Sequence, residues 1–363
     1  MYCGAITMYK DTLIGDGVMH AYNNNPSNAR SDTAEQVLED IHGLSTAASA
    51  PGTEHSEERW FRNFTADEIE EAGFLESDVD FGVYHSTPIF DYFHDGYSAL
   101  GSGVKMRDNN PDRVKLLGCV DPLSSDATEE MERQVNELDV DGFKMYPTFY
   151  RDGKVQELKM DDDLLPLVEK AHELGIGHIG VHKVFPLGPV GQHHVDVGDV
   201  ADIAGQYSDI KFELLHTDLA FLEEIKLMLN THDNIYANLE FTTAFLYFSP
   251  KRFREILGEL LMWGGPEKII WSTGVPLVHP QSLIEAMWDL EFTEEEREEY
   301  NYPELTDDIK EMILGENLAN LYGWDTDKLR STVQDDKWSQ RRQQEGKPDP
   351  WSGIEMDTVS ADD

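Results

Sequence analysis

The sequence contains few cysteines and no long apolar segment. Cys3 and Cys119 are the only 2 cysteines among 363 residues, which excludes a disulfide framework and a cysteine-based zinc site and is typical of a cytosolic protein. No run of about 18 apolar residues occurs, so no membrane span is predicted. The N-terminus also lacks the basic and apolar regions of a signal peptide. We therefore expect a cytoplasmic protein.

Basic residues are scarce relative to acidic ones. The chain has 29 Lys and Arg against 71 Asp and Glu, which gives a formal net charge of −42. This charge is spread along the whole sequence, which favours adaptation to high salt over an acidic tail that binds a basic partner. It also argues against nucleic acid or an anionic membrane as a partner. With 40% hydrophobic residues, the chain has enough apolar side chains for a full core.

Short apolar strands and helical segments alternate along most of the chain. Each predicted strand but the first is followed by a helix, which favours a parallel barrel over an open sheet. The predicted fold class is therefore α/β, a (β/α)8 TIM-like barrel. The eight predicted strands are Thr12 to His20, Val79 to Ser86, Val114 to Val120, Val140 to Tyr146, Gly175 to His182, Ile210 to His216, Ile235 to Glu240 and Lys268 to Ser272.

Two regions lie outside the regular alternation. Residues 23–78, between the first two predicted strands, have an interrupted helical pattern and are predicted to form a cap insertion over the barrel mouth. We assign residues 1–330 to one barrel domain with a C-terminal helical extension. Residues 331–363 are a polar tail, predicted to be extended or bound to a partner. Its Trp338 and Trp351 would suit anchoring to a neighbouring subunit in a homodimer or higher homo-oligomer.

Histidines end three of the predicted strands. His182 and His216 end the fifth and sixth strands, and His20 ends the first. The carboxyl ends of the strands of a (β/α) barrel meet at its mouth, where several imidazoles can hold a metal ion. The pattern therefore places a candidate metal site at the mouth.

Three sequence motifs accompany these histidines: Gly-Phe-Lys-Met-Tyr-Pro at 142–147, Trp-Ser-Thr-Gly-Val-Pro at 271–276 and Ile-Leu-Gly-Glu-Asn-Leu-Ala-Asn-Leu-Tyr-Gly at 313–323. Together they resemble the amidohydrolase superfamily, in the amidohydrolase-2 branch that includes aminocarboxymuconate-semialdehyde decarboxylase. The resemblance covers most of residues 12–325. It implies a metal-dependent hydrolase or non-oxidative decarboxylase that acts on a small carboxylated or cyclic substrate.

The resemblance also implies a metal site from which two ligands are missing. The positions of the first-strand ligand pair are Val18 and His20, and the aspartate that ends the eighth strand is replaced by Gly274. The expected metal ligands are therefore His20, His182 and His216, with His279 as a replacement from the same loop as Gly274. Three imidazoles suit one divalent ion, zinc first, with iron or manganese as alternatives. A remnant site that binds no metal remains the other interpretation.

With the usual aspartate absent, other side chains must supply the acid or base. His216, Asp218 and Lys144 are the predicted catalytic residues, and Lys144 is expected to support the metal ligands from behind or to contact a substrate carboxylate rather than to bridge two metals. His85, Tyr146 and Glu240, each at a predicted strand end, are expected to bind the substrate. Glu240 is also an alternative acid or base.

Two other functions stay open from the sequence. The loss of ligands at Val18 and Gly274 is compatible with a catalytically degenerate barrel that acts as an accessory or scaffold protein, with a protein partner such as a multicomponent oxygenase. A metal-free barrel that holds an acid through Lys144 and carboxylates is the third hypothesis. The first hypothesis, an enzyme with a small-molecule substrate, is favoured by the three histidines.

Overall fold

Eight parallel strands form the central sheet of the chain. The computed structural model describes residues 8–217 and 219–354. In the sheet, the strands follow the order β1, β2, β3, β4, β7, β8, β9, β10, while β5 and β6 form a separate antiparallel hairpin. The strands are β1 Gly15–Met19, β2 Phe81–His85, β3 Val114–Gly118, β4 Gly142–Met145, β5 Thr148–Arg151, β6 Lys154–Glu157, β7 His178–Val181, β8 Lys211–Leu214, β9 Ile235–Asn238 and β10 Ile269–Ile270.

The last strand returns to the first and closes the sheet into a barrel. The N–H of Gly17 donates to the carbonyl of Trp271 at 2.9 Å, and the N–H of His20 donates to the carbonyl of Val275 at 2.9 Å. Met19 and Val275 also form a parallel bridge. Closure leaves no free sheet edge. The predicted (β/α)8 barrel is therefore confirmed.

Helices surround the barrel and continue beyond its last strand. Caps fix several of them locally; Thr65 and Glu68, for example, form a reciprocal capping box at the start of α3. No helix among the described residues is both long and apolar enough to cross a membrane. The helices are α1 Asp32–Ala48, α2 Glu57–Trp60, α3 Ala66–Phe74, α4 Leu100–Asn109, α5 Ala127–Leu138, α6 Leu165–Glu173, α7 Gly198–Gln206, α8 Leu222–Thr231, α9 Phe245–Phe248, α10 Pro250–Gly264, α11 Pro280–Trp288, α12 Glu294–Tyr300, α13 Asp307–Glu311, α14 Asn317–Tyr322, α15 Thr326–Asp335 and α16 Lys337–Glu345.

The segment between β1 and β2 carries α1, α2 and α3, in the region predicted to be an insertion. Helix α1 begins after Ser31, whose hydroxyl accepts from the N–H of Ala34. The hydroxyl of Ser45 in α1 donates to the carbonyl of Leu277, which follows β10, at 2.5 Å. This contact holds α1 beside the carboxyl end of the closing strand. The insertion therefore helps to build the barrel mouth.

The C-terminal segment is helical and packs on its own chain rather than extending from it. The indole N–H of Trp338 donates to Asn110 Oδ1 at 2.7 Å, and that of Trp351 donates to the carbonyl of Thr53 at 2.7 Å. Both indoles are buried within this chain. Within residues 331–354, the extended tail expected from the polar composition is therefore replaced by the end of α15, by α16 and by a segment whose Trp351 is buried against its own chain.

Basic side chains of this segment face the acidic helix α3 and the chain after it. Arg341 pairs with Glu71 at 2.6 Å, and Arg342 pairs with Asp78 at 2.8 Å. Lys347 also reaches Asp78, at 2.9 Å. These ion pairs attach the C-terminal segment to the insertion. They offset part of the repulsion among the many acidic side chains of the chain.

Candidate active site

The carboxyl ends of the barrel strands carry most of the side chains predicted for the site. His20 directly follows β1, His85 ends β2 and His182 directly follows β7. The others are Lys144 in β4, Tyr146 after β4, His216 after β8 and Glu240 after β9. Because all these strands are parallel, their carboxyl ends meet on one side of the barrel.

Glu240 lies at the centre of this group. Its side chain is 2% exposed, and its Oε1 lies 3.0 Å from His20 Nε2. Its Oε2 lies 3.8 Å from Lys144 Nζ and 3.5 Å from His216 Nε2. Burial alone would raise the pKa of Glu240, but the positive charge of Lys144 holds that pKa well below its ordinary value. Glu240 is therefore ionised at neutral pH, and its Oε2 has no hydrogen-bond partner among the described residues.

His20 connects Glu240 to the second strand. Its Nδ1 lies 2.8 Å from the backbone carbonyl of His85, which can only accept, so Nδ1 carries a hydrogen. The 3.0 Å contact between His20 Nε2 and Glu240 Oε1 is a hydrogen bond only if one of these two atoms also carries a proton. Burial lowers the pKa of His20 to about 4, so the ring is neutral near pH 7, its one hydrogen lies on Nδ1, and Nε2 presents a lone pair 3.0 Å from Glu240 Oε1.

His216 has the same proton arrangement. Its backbone is left-handed, with φ of 57°, which turns the side chain toward the carbonyl of Glu240, 3.2 Å from its Nδ1. Nδ1 therefore donates to this carbonyl. Burial lowers the pKa of His216, so the ring is neutral near pH 7 and Nε2 keeps a free lone pair. Nε2 has no hydrogen-bond partner among the described residues.

The other two histidines of the mouth have different surroundings. His182 stacks on Tyr146 with ring centroids 4.4 Å apart and meets His216 edge-on at 4.7 Å. The hydroxyl of Tyr146 donates to Thr87 Oγ1 at 3.0 Å. His85 is fully buried and contributes its carbonyl to His20. His182 and Tyr146 therefore face the pocket, while His85 supports His20 from behind.

A pocket lies over Glu240, His216 and His182. Most of its wall is aromatic or aliphatic, and α1 contributes Ile41 and Leu44 to it. Glu240 is the one charged side chain among its described lining residues. Tyr97, which the sequence did not single out, also lines the pocket; it comes from the irregular chain after β2, where no strand pattern marks it. The remaining lining residues are Tyr22, Thr87, Tyr146, Phe185, Leu187, Phe241 and Leu277.

Gly274 marks the place where the resemblance implied an aspartate. Its φ is 71°, a left-handed conformation that favours glycine. A Cβ at this position would lie 3.3 Å from Glu240 Cγ and 3.5 Å from Glu240 Oε1. The side chain of Glu240, from the neighbouring strand, therefore fills the space directly beside Gly274. The mouth keeps a carboxylate although the eighth strand does not provide one.

Two predicted site residues are not placed with this group. The Nδ1 of His279 accepts from the N–H of Gln281, and its Nε2 donates to Glu76 Oε2 at 3.3 Å. Its ring also meets Trp351 edge-on, so His279 belongs to the contact between the C-terminal segment and the insertion. Asp218 lies outside the described residues.

The described residues do not fit a resident metal ion by themselves. No group of three or more His, Cys, Asp or Glu side chains within residues 8–217 and 219–354 is arranged to hold one. The Nε2 atoms of His20 and His216 face different oxygens of Glu240, and Lys144 places a cation 3.8 Å from the same carboxylate. A divalent ion there would be repelled by Lys144.

These features define a closed (β/α)8 barrel whose pocket, at the carboxyl ends of its strands, has a mostly apolar wall and polar side chains at its floor. The sequence matches the Amidohydrolase family Amidohydro_2 over residues 95–324. The chain therefore belongs to the amidohydrolase family. No curated protein sequence matches it.

Solved structures with the same fold are distant in sequence. An uncharacterised TIM-barrel protein from Bordetella bronchiseptica aligns with a TM-score of 0.59 and 16% identity, over 86% of this chain and 98% of that one. A 5-carboxyvanillate decarboxylase from Novosphingobium aromaticivorans, complexed with manganese, gives 0.55 and 12% over 89% and 99%. An amidohydrolase from Burkholderia multivorans with bound zinc gives 0.53 and 10% over 86% and 99%. At these identities the likeness shows the fold alone.

Proposed function

We propose that this protein is a hydrolase that adds water to a small, uncharged cyclic ester or amide. The observation that carries the proposal is the pair of free acceptors at the pocket floor, Glu240 Oε2 and His216 Nε2. They lie 3.5 Å apart, beneath a mostly apolar wall. A water molecule can donate one hydrogen bond to each of them, which orients its oxygen lone pair toward a bound ring.

The charge of the pocket supports an uncharged substrate. Glu240 is an anion, and no cationic side chain accompanies it among the described lining residues. Lys144 is 1% exposed and lies behind Glu240 rather than in the pocket wall. A substrate carboxylate would meet a like charge without a compensating cation, which costs several kcal/mol. Hydrolysis of a neutral ring is therefore favoured over decarboxylation, which requires a carboxylated substrate.

The reaction follows from these protonation states. His216 Nε2 or Glu240 Oε2 accepts a proton from the water as its oxygen attacks the carbonyl carbon. The carbon–oxygen or carbon–nitrogen bond of the ring then breaks, and the same proton passes to the leaving atom. The acid product then loses its remaining proton to solvent, and the resulting carboxylate is repelled by Glu240, which favours release. The metal that family relatives carry supplies Lewis-acid chemistry when it is bound, but no step here is assigned to it.

Substrate charge provides the test of this proposal. We expect the purified protein, in concentrated KCl, to hydrolyse dihydrocoumarin with a kcat/KM about 10²-fold above that for a ring-carboxylated dihydrocoumarin, because repulsion of about 2.7 kcal/mol corresponds to this factor. No carbon dioxide should be released from salicylate. Hydrolysis would be followed by product absorbance, above the spontaneous rate.

Two outcomes would contradict the proposal. Faster hydrolysis of the carboxylated ring, or decarboxylation of salicylate, would show that the pocket accepts anions. No turnover of any of the three compounds would instead favour the accessory or scaffold role. The localisation, oligomeric state and adaptation to salt stay predictions.

A further inference from the structure

The hydroxyl of Tyr97 is a buried group without a partner in the pocket wall. Tyr97 is 3% exposed and lines the pocket with Glu240 and His216. Its hydroxyl has no hydrogen-bond partner among the described residues. We infer that the Tyr97 hydroxyl donates a hydrogen bond to the carbonyl oxygen of the substrate, an inference that rests on the proposed hydrolysis of a cyclic ester or amide.

Stacking fixes the direction of this hydroxyl. The Tyr97 ring lies between Tyr22, at a centroid distance of 4.2 Å, and Phe93, at 4.9 Å. Both ring pairs are inclined by 20°. Tyr22 in turn stacks on His20 at 4.7 Å, the residue that contacts Glu240. A ring confined on both faces cannot swing its hydroxyl away, so the donor is preorganised relative to Glu240.

The chemistry of the hydroxyl matches an uncharged acceptor. Burial raises the pKa of Tyr97 well above its ordinary value, so the group keeps its proton and can donate. Two other buried tyrosine hydroxyls near the barrel mouth have partners: Tyr146 donates to Thr87, and Tyr84 donates to the carbonyl of Ala99. An unpaired buried donor is costly, and a carbonyl oxygen of a bound ring would satisfy it. The bond strengthens as that oxygen gains negative charge during attack by water.

Binding of a matched pair of ligands tests this inference without requiring turnover. Dihydroquinolinone is the slowly hydrolysed lactam counterpart of dihydrocoumarin, and tetrahydroquinoline is a similar ring without the carbonyl. In calorimetry, Tyr97→Phe should weaken lactam binding by about five- to ten-fold, the value of one neutral hydrogen bond. The same substitution should leave tetrahydroquinoline binding unchanged. Tyr92→Phe is the control, because the Tyr92 hydroxyl donates to the carbonyl of Leu187 and does not line the pocket.

The outcomes separate this inference from the proposed function. Equal lactam affinity in wild type and Tyr97→Phe, or an equal loss for both ligands, would overturn the role of Tyr97. So would a wild-type protein that binds the lactam no better than tetrahydroquinoline. If the expected binding pattern is found but dihydrocoumarin is not hydrolysed, the proposed function fails while the hydrogen bond from Tyr97 stands. If hydrolysis is found, Tyr97→Phe should also lower kcat by about 10²-fold.

Discussion

Replacing Glu240 with Gln should lower the kcat for dihydrocoumarin hydrolysis by about 10³-fold, within the range of a lost general base. Gln has the shape of Glu but carries no charge and cannot take a proton from water. The Oε2 position faces His216 Nε2 at 3.5 Å, so the substitution also places an amide beside the second acceptor. The loss should appear mainly in kcat, because the apolar wall that binds the ring is unchanged.

Glu213→Gln is the matched control for this prediction. Glu213 is equally buried and lies in the neighbouring strand β8. Its oxygens accept from the hydroxyl of Tyr322 at 2.6 Å and the amide of Asn238 at 3.0 Å, and it does not line the pocket. This variant should keep most of its activity. Comparable losses in both variants would mean that any buried carboxylate of the barrel is needed, and Glu240 would lose its assigned role.

Replacing Lys144 with Met should lower the free energy of unfolding by about 3 kcal/mol near neutral pH, the cost of leaving a buried charge without its partner. Lys144 and Glu240 are 1% and 2% exposed, and their charged atoms lie 3.8 Å apart. Urea unfolding in concentrated KCl would measure the change. The double substitution Lys144→Met with Glu240→Gln should be less destabilising than the sum of the single ones, because it removes both charges.

The ion pair of Lys144 and Glu240 should also make the free energy of unfolding depend on pH. Lys144 helps to hold the pKa of Glu240 below its ordinary value of 4.5 in the folded chain, so the carboxylate stabilises the fold above about pH 4.5. That contribution is lost as the pH falls through the lower, folded pKa. In Lys144→Met the contribution shrinks, and the acid part of the stability profile should flatten. Additive single effects and an unchanged acid profile would contradict the pairing of Lys144 with Glu240.

The barrel could be predicted because its pattern is local. Each strand is a short apolar run followed by an amphipathic helix, and eight repeats leave few alternatives to a closed parallel sheet. The strand bounds were less well defined: the last strand was predicted as Lys268 to Ser272, whereas β10 is Ile269–Ile270. The neighbouring backbone closes the barrel through separate bonds to β1 instead. Such pairings depend on the partner strand, which a single segment does not reveal.

The site was only partly predictable, for a related reason. His20, His182 and His216 were found because they stand at strand ends, where topology alone places them at the mouth. The central position of Glu240 depends on the space beside Gly274, where a Cβ would lie 3.3 Å from its Cγ. The proposed role of Tyr97 depends on the stacking of Tyr22, Tyr97 and Phe93, which come from two separate segments. Contacts of this kind arise from tertiary packing and leave no periodic signal in the sequence.

His279 lies on the predicted loop, but its side chain does not join the group at the barrel mouth. It follows β10 near Gly274, as the sequence indicated, but its side chain turns toward Glu76 and Trp351. The N–H of Trp351 also donates to Glu76 Oε2 at 2.7 Å. The C-terminal segment, expected to be extended, therefore supplies the partner that holds His279. The role of His279 as a metal ligand stays a prediction.

Glu240 and His216 are proposed to activate the water that hydrolyses an uncharged ring, with no metal ion required. The most direct measurement is the rate of dihydrocoumarin hydrolysis by chelator-treated wild-type protein, with zinc, iron and manganese quantified in the same sample. The structure predicts far less than one equivalent of metal and a rate equal to that of untreated protein, since Lys144 lies 3.8 Å from Glu240 Oε2. A stoichiometric metal, with activity lost on chelation and restored by zinc or manganese, would contradict it.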